Sequence, residues 1–151
     1  MVRVQAEPFD PGLELGRFAS GRSDIGAVAS FTGLVRDHHK GERILAMTLE
    51  HYPGMTEREL ERIEEQARRR WPLDDCLVIH RYGRMLPSEP IVLVCTASSH
   101  RAAALEACAF LMDWLKTKAP FWKLEETPAG ERWVEARESD DAAAARWEQQ
   151  A

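Results

Sequence analysis

Residues 91–120 read IVLVCTASSHRAAALEACAFLMDWLKTKAP. The run Ile91 to Ala97 is almost wholly apolar, as a strand is when both of its faces are covered, and this places it centrally in a sheet. Ser98 and Ser99 follow, and either can cap a helix by accepting a first-turn N–H. Leu105, Cys108, Met112 and Leu115 then recur on one face of that helix. Pro120 stops it, because the residue before a proline is pushed away from helical backbone. A buried strand feeding a long helix is the centre from which the other elements are read.

Toward the N-terminus, Leu77 to Tyr82 reads as a second strand and Gly83 to Pro90 as the turn between the two. Pro72 ends a helix in which Leu60, Ile63, Ala67 and Trp71 recur at helical spacing, and Thr56 with Glu59 three residues on has the spacing of a capping box. Leu45 to Tyr52 and Gly26 to Val35 read as strands flanking a polar loop, Arg36 to Gly41. Pro11 to Ser20 reads as a short helix with Leu13, Leu15 and Phe18 partly inward, and Val2 to Val4 as an edge strand. Beyond Pro120, Phe121 to Glu126 and Arg132 to Ala136 form a hairpin around Pro128-Ala129-Gly130, and Ser139-Asp140-Asp141 caps a last short helix. Two main helices among hairpin-linked strands indicate an α+β fold with a largely antiparallel sheet. The length of 151 residues fits a single domain spanning 1–151.

Apolar residues make up 44% of the chain and charged residues 30%, an ordinary globular balance that argues against disorder. The net charge of -5 does not suggest a nucleic-acid partner, although a local basic pocket is compatible with it. Neither a signal-peptide pattern nor an apolar run of membrane-spanning length is present, so a cytoplasmic protein without membrane association is expected. Cys76, Cys95 and Cys108 are widely spaced, and two of them sit in apolar segments, so reduced core cysteines are expected.

Three places could carry chemistry. Ser98-Ser99-His100-Arg101 joins a strand end to a helix start, where unpaired N–H groups beside an imidazole and a guanidinium suit an anion. The same residues could also be solvated first-turn side chains. Lys116, Lys118 and Lys123 surround Phe121 and Trp122 at the other end of the helix, where a partly desolvated ammonium can move a proton or hold an oxyanion. Lysines there could equally just complement the helix dipole. Arg36, after Phe31-Thr32-Gly33, offers a bidentate fork to phosphate and is weak evidence alone. The adjacent His38-His39 pair lacks further residues at metal-ligand spacing, so no metal is expected. No nucleophile elbow, P-loop or GxGxxG pattern is present.

Six blocks taken together, FTGLVR (31–36), LEHYPGM (49–55), IHRYG (79–83), SHR (99–101), APFWK (119–123) and WVEAR (133–137), closely resemble the molybdopterin synthase large-subunit family, in the family's order and across nearly the whole chain. The resemblance implies an α/β-hammerhead-type fold, a homodimer, and a heterotetramer in which each large subunit receives the glycine-ended C-terminal tail of a ubiquitin-like small subunit. That tail carries a thiocarboxylate, whose sulfur is transferred to cyclic pyranopterin monophosphate to form the dithiolene of molybdopterin, with no cofactor. It further implies that Lys116 and Lys123 are catalytic and that Arg36, His100 and Arg101 bind the pterin phosphate. Leu34, Val35, Leu124 and Glu125 match flanking pocket positions, with Leu34 and Leu124 standing where basic residues are common in the family.

Sixteen residue steps separate His100 from Lys116, so within one helix their backbones stand about 24 Å apart. One small substrate cannot comfortably touch both. If both serve one site, His100 and Arg101 come from one protomer, and Lys116, Lys123 and Arg36 from its partner. Two competing readings remain at this stage: an adaptor that only grips a ubiquitin-like tail, and a phosphoesterase or sugar-phosphate enzyme using the same cations with a metal or nucleophile.

Overall fold

A computed structural model describes residues 1–134 and 138–148, with side chains of the last helix described from Asp141 onward. The chain runs β1 (Val2–Gln5), α1 (Pro11–Ala19), β2 (Ala27–Leu34), β3 (His38–His39), β4 (Glu42–Arg43), β5 (Ala46–His51), α2 (Met55–Arg70), β6 (Asp75–Arg81), β7 (Gly83–Met85), β8 (Pro90–Ser98), α3 (Arg101–Lys118), β9 (Phe121–Thr127), β10 (Gly130–Val134) and α4 (Glu138–Glu148). One sheet has the order β1-β6-β8-β2, the second β10-β9-β5-β7, and β3 with β4 forms a small ribbon. Every pairing is antiparallel except β1 with β6, giving the expected α+β class, with its strands divided between sheets.

The apolar run of β8 does lie inside its sheet, between β6 and β2. Val92 and Val94 face α2 and α3 in a core with Leu60, Ile63, Phe110 and Leu111, while Leu93 and Cys95 face Leu15 and Phe18 of α1. Coverage on both faces explains why β8 shows no polar alternation. Its fully buried Thr96 is satisfied by donating to the Ala104 carbonyl at 2.7 Å. All three cysteines are buried and unbridged.

Several expected boundaries move. The partner of the α2 cap is Glu57, whose carboxylate accepts from the Gly54 N–H; Glu59 pairs with Arg62, and Thr56 Oγ1 accepts from Tyr52 and donates to Pro120. Trp71 is the C-cap of α2 and lies beyond its buried stripe. Ser98 belongs to β8 and donates to the Pro72 carbonyl, so His100, without a side-chain cap bond, stands at the N-cap of α3. The segment Gly83 to Pro90 is more than a turn, since β7 pairs with β5, and the loop Arg36 to Gly41 contains β3. The hairpin turns at Pro128-Ala129 and Gly130 opens β10; Ala136 lies outside the described residues. Ser139 to Asp141 fall inside α4 rather than at its cap. Leu13 and Leu105 are exposed, against expectation. Leu105 shares a stripe of α3 with buried Met112, two turns away, but among the described residues nothing covers it.

Gly26 marks where β2 must approach the start of α3. Its N–H donates to the Ser98 carbonyl at 3.0 Å, and a β-carbon there would stand 2.0 Å from the Ser99 carbonyl oxygen. Both clashing groups are backbone, so relief requires moving a strand against a helix. Gly26→Ala should therefore lower stability by about 3 kcal/mol, the upper end of overpacking costs. Gly16→Ala in α1, where the added carbon meets nothing within 4 Å, should leave stability unchanged or raise it. Urea midpoints of the two variants check the contrast.

Candidate active site

The C-terminal turn of α3, the end of β2 and the inner face of the second sheet enclose a cavity of about 360 Å³. Its walls are apolar, with Val35, Ile44, Met47, Leu49, Leu115 and Phe121 among them, and Arg36, Lys116 and Lys123 reach it from three separate elements. Each arrives for a local reason. On α3, Leu115 turns into the core and the next residue, Lys116, emerges at the last turn before Pro120 reverses the chain. On β9, alternation sends Phe121, Lys123 and Glu125 to the cavity and Trp122 and Leu124 to the opposite face. At the end of β2 the register against β8 shifts between Gly33 and Leu34, and this irregularity re-aims the chain so that Leu34, Val35 and Arg36 all line the cavity.

Six of the nine residues singled out in the sequence thus meet: Leu34, Val35, Arg36, Lys116, Lys123 and Glu125. Leu124 does not line the cavity, because its register on β9 points it away. Neither do His100 and Arg101, which are exposed at the opposite end of α3. Lys118, the third lysine of that cluster, pairs with Glu148 of α4 at 2.9 Å, a structural role.

Three histidines line the cavity without having been assigned to it from the sequence: His38, exposed and paired with Asp37, and the buried His39 and His80. His39 is buried, and its Nδ1 lies 2.7 Å from Glu125 Oε1; since a carboxylate only accepts, Nδ1 carries the proton. Burial by itself would push the Glu125 carboxyl up, but the His39 hydrogen bond, the charges of Lys123 and His39, and Arg132 outweigh it and hold the group below its ordinary value. His80 stacks on Phe121 with ring centroids 3.8 Å apart and donates from Nδ1 to the Arg81 carbonyl at 2.9 Å. Burial, reinforced by the charges of Lys116 and His51, pushes its pKa down to about 4, against the favourable hydrogen bond to Arg81. His80 is therefore a neutral imidazole at physiological pH. The signal for His80 was legible, a lone histidine inside an apolar strand. For His39 it was not, since its partner lies 86 residues away.

Three cations against one carboxylate leave the cavity positive, and apolar walls strengthen that field, so it suits an electron-rich anionic ligand. The MoaE protein family pattern matches residues 4–118. The chain is 57% identical over 146 residues to the molybdopterin synthase catalytic subunit of Cereibacter sphaeroides, covering 97% of this chain and 99% of that one. The chain belongs to the MoaE family. Its fold superposes on the molybdopterin biosynthesis MoaE protein of Burkholderia ambifaria with a TM-score of 0.83 at 52% identity, covering 98% and 97% of the two chains. At the level of fold alone, it also matches a chain in a complex of subunits 1 and 2 of the molybdopterin-converting factor from Helicobacter pylori, with a TM-score of 0.74 at 19% identity, covering 90% of this chain and 91% of that one.

The buried neutral His80 makes stability depend on pH in a defined window. Unfolded, the imidazole titrates near its ordinary 6.5, whereas folded it titrates near 4, so between these values the unfolded chain binds the extra proton. Stability from this group is intact above about pH 6.5 and declines as the pH falls toward about 4. Urea unfolding at pH 7 and pH 5 should show a smaller loss in His80→Gln than in the parent chain. An identical loss in both would mean that His80 titrates normally.

Proposed function

We propose that this chain is the catalytic subunit of a molybdopterin synthase, transferring sulfur from the thiocarboxylated tail of a ubiquitin-like small subunit to cyclic pyranopterin monophosphate. The observation that carries this reading is the convergence of Arg36, Lys116 and Lys123 in one apolar-walled cavity, in a chain of the MoaE family. The thiocarboxylate sulfur and the pterin phosphate are both negative, and a reaction between them needs fixed positive charge to offset their repulsion. The sulfur attacks an oxygen-bearing carbon of the pterin side chain, so that a C–S bond forms as a C–O bond breaks, and the pterin is joined to the tail through a thioester. Water then cleaves the thioester, leaving sulfur on the pterin and a carboxylate on the small subunit. A second tail repeats the sequence at the neighbouring carbon; of the two displaced oxygens, one stays on the phosphate as its ring opens and the other leaves as water, giving the dithiolene without an oxidant or reductant.

Within this scheme Lys116 stabilises the acyl and thioester stages or moves the proton, Lys123 holds the tail or phosphate, and Arg36 grips the phosphate. Leu34, Val35 and Glu125 shape the pocket around them, while Leu124 stands on the opposite face of β9. The chain works as one domain, in the cytoplasm, as a homodimer carrying two small subunits.

The separation of the cations supports the dimer, if both groups serve one site. β2 is an edge strand with Val28, Phe31 and Leu34 exposed along it, and Leu105 is 60% exposed on α3. The start of β2 lies beside the α3 N-terminus and its end beside the cavity. A second copy packed antiparallel along β2 covers these apolar residues and brings the partner's α3 N-terminus to the cavity. His100 and Arg101 then complete each site from across the interface.

Mixing the chain with a thiocarboxylated small subunit and cyclic pyranopterin monophosphate should yield the dithiolene product by mass. Binding of the tail without conversion of the pterin would instead favour an adaptor. Lys116→Ala should cut single-turnover product formation by roughly 100-fold, as expected for a lost proton-transfer or charge-stabilising group. Near-normal turnover would remove Lys116 from the chemistry. In a mixed dimer of His100→Ala and Lys116→Ala chains, a shared site predicts about half the parental activity, because one of two sites is intact. A site confined to one chain predicts none.

A further inference from the structure

We propose that His39 is a positioning residue for sulfur transfer: by pinning one oxygen of Glu125 it turns the other toward Lys123 and so sets where that ammonium stands in the cavity. The inference deepens the functional reading above and rests on it. Glu125 Oε1 takes both the His39 Nδ1–H at 2.7 Å and the Arg132 guanidinium at 3.3 Å. Oε2 is left to face Lys123 Nζ at 3.7 Å. The two contacts differ in kind. The first is a short, buried, charge-assisted hydrogen bond. The second is an ion pair longer than a hydrogen bond, which steers the ammonium by charge.

Arg132 cannot replace His39 in this task. Its Nη1 is committed to Glu42 at 2.7 Å, and its bonds to Glu125 are long and half exposed. His39 is the closest donor on a carboxylate only 2% exposed, and it is supplied by the β3–β4 ribbon, far in sequence from the strand that it braces. The charged and titratable groups lining the cavity around Lys123 are Glu125 from its own strand, Lys116 from α3, Arg36 from beyond β2, His38 and His39 from β3 and His80 from β6; Arg132 of β10 acts through Glu125. Among the described residues lining the cavity, Glu125 is the carboxylate that faces Lys123, so its orientation bears directly on where the Lys123 charge is held.

The test is a comparison of His39→Leu with His39→Asn, whose amide N–H sits near the position of Nδ1. His39→Leu should lower kcat at least about ten-fold with a smaller change in KM for the pterin. It should also move the acid limb of the kcat profile up by about one pH unit, as the Glu125 carboxylate loses a hydrogen bond to its charged form. His39→Asn should return kcat to within about three-fold of the parent and restore the limb. Should His39→Leu fail to fold, Glu125→Gln, which keeps the shape, should show the same loss of kcat. A readout independent of turnover is the NMR titration of Lys123 after isotopic methylation of the lysines, assigned with Lys123→Arg. Its resonance should shift in His39→Leu and recover in His39→Asn. An unchanged titration and pH limb in His39→Leu, or an Asn variant no better than Leu, overturns the proposal. If the parent chain makes no dithiolene, the functional reading fails, and the NMR titration still decides whether His39 positions Lys123.

Discussion

The rise of an α-helix is fixed, and α3 uses it to keep two halves of a cation set apart. Its 18 residues span about 27 Å, with His100 and Arg101 at one end and Lys116 in the last turn of the other. The helix cannot bend to close that distance, because Ala104, Ala107, Phe110, Leu111 and Leu115 are buried along its length against the first sheet, α2 and α4. β2 runs alongside, with its start near the α3 N-terminus and its end at the cavity. On the proposed reading, a chain built this way would present half of an anion site at each end. Symmetric pairing is the economical way to bring the halves together, and the apolar side chains exposed on β2 and α3 lie where such pairing would cover them.

The cavity itself is a problem in charge balance. Arg36, Lys116 and Lys123 repel one another, and apolar walls strengthen that repulsion as well as the attraction for an anion. Among the described residues, two groups bear on that balance. Glu125 supplies one negative charge, kept ionised despite its burial by His39, Lys123 and Arg132. His80 supplies none of either sign, because its burial beneath Phe121 and beside Lys116 disfavours the imidazolium. A protonated His80 would add a fourth cation under the lysines. Keeping it neutral limits the electrostatic strain to what an incoming anionic ligand can relieve.

What was legible in the sequence follows from how local each signal is. The strand Ile91 to Ala97 and the helix ended by Pro120 could be read because periodicity and a helix breaker act within a few residues. Caps moved by one or two positions, since Gly54 and His100 hold places that Thr56 and Ser98 or Ser99 fill equally well on composition. The ribbon His38–Arg43 and strand β7 are too short for any periodicity to show. Site residues divided along the same line. Lys116, Lys123 and Arg36 stand out by residue type within recognisable blocks, whereas the link between His39 and Glu125 depends on two hairpins meeting across the fold. Leu124 matches a flanking position of the family pattern, and strand alternation turns it to the face away from Lys123 and Glu125.

That alternation makes the register of β9 the point where fold and chemistry meet. Lys123 and Glu125 are two residues apart, so one face of the strand carries both, and a slip of a single residue would turn both out and bring Trp122 and Leu124 in. The register is held from both sides. β5 pairs with β9 from Ala46 opposite Glu126 to His51 opposite Phe121, and β10 pairs from Gly130 opposite Thr127 to Val134 opposite Lys123. Burial adds a chemical lock to these ladders. A slipped strand would have to place Leu124 where His39 and Arg132 present their donors, leaving those donors unmet, while the Glu125 carboxylate lost its partners. The hydrogen bond that holds the carboxylate beside Lys123 is thus also among the interactions that make the alternative register unfavourable, and the strand cannot be stable in its native pairing without presenting its lysine to the cavity.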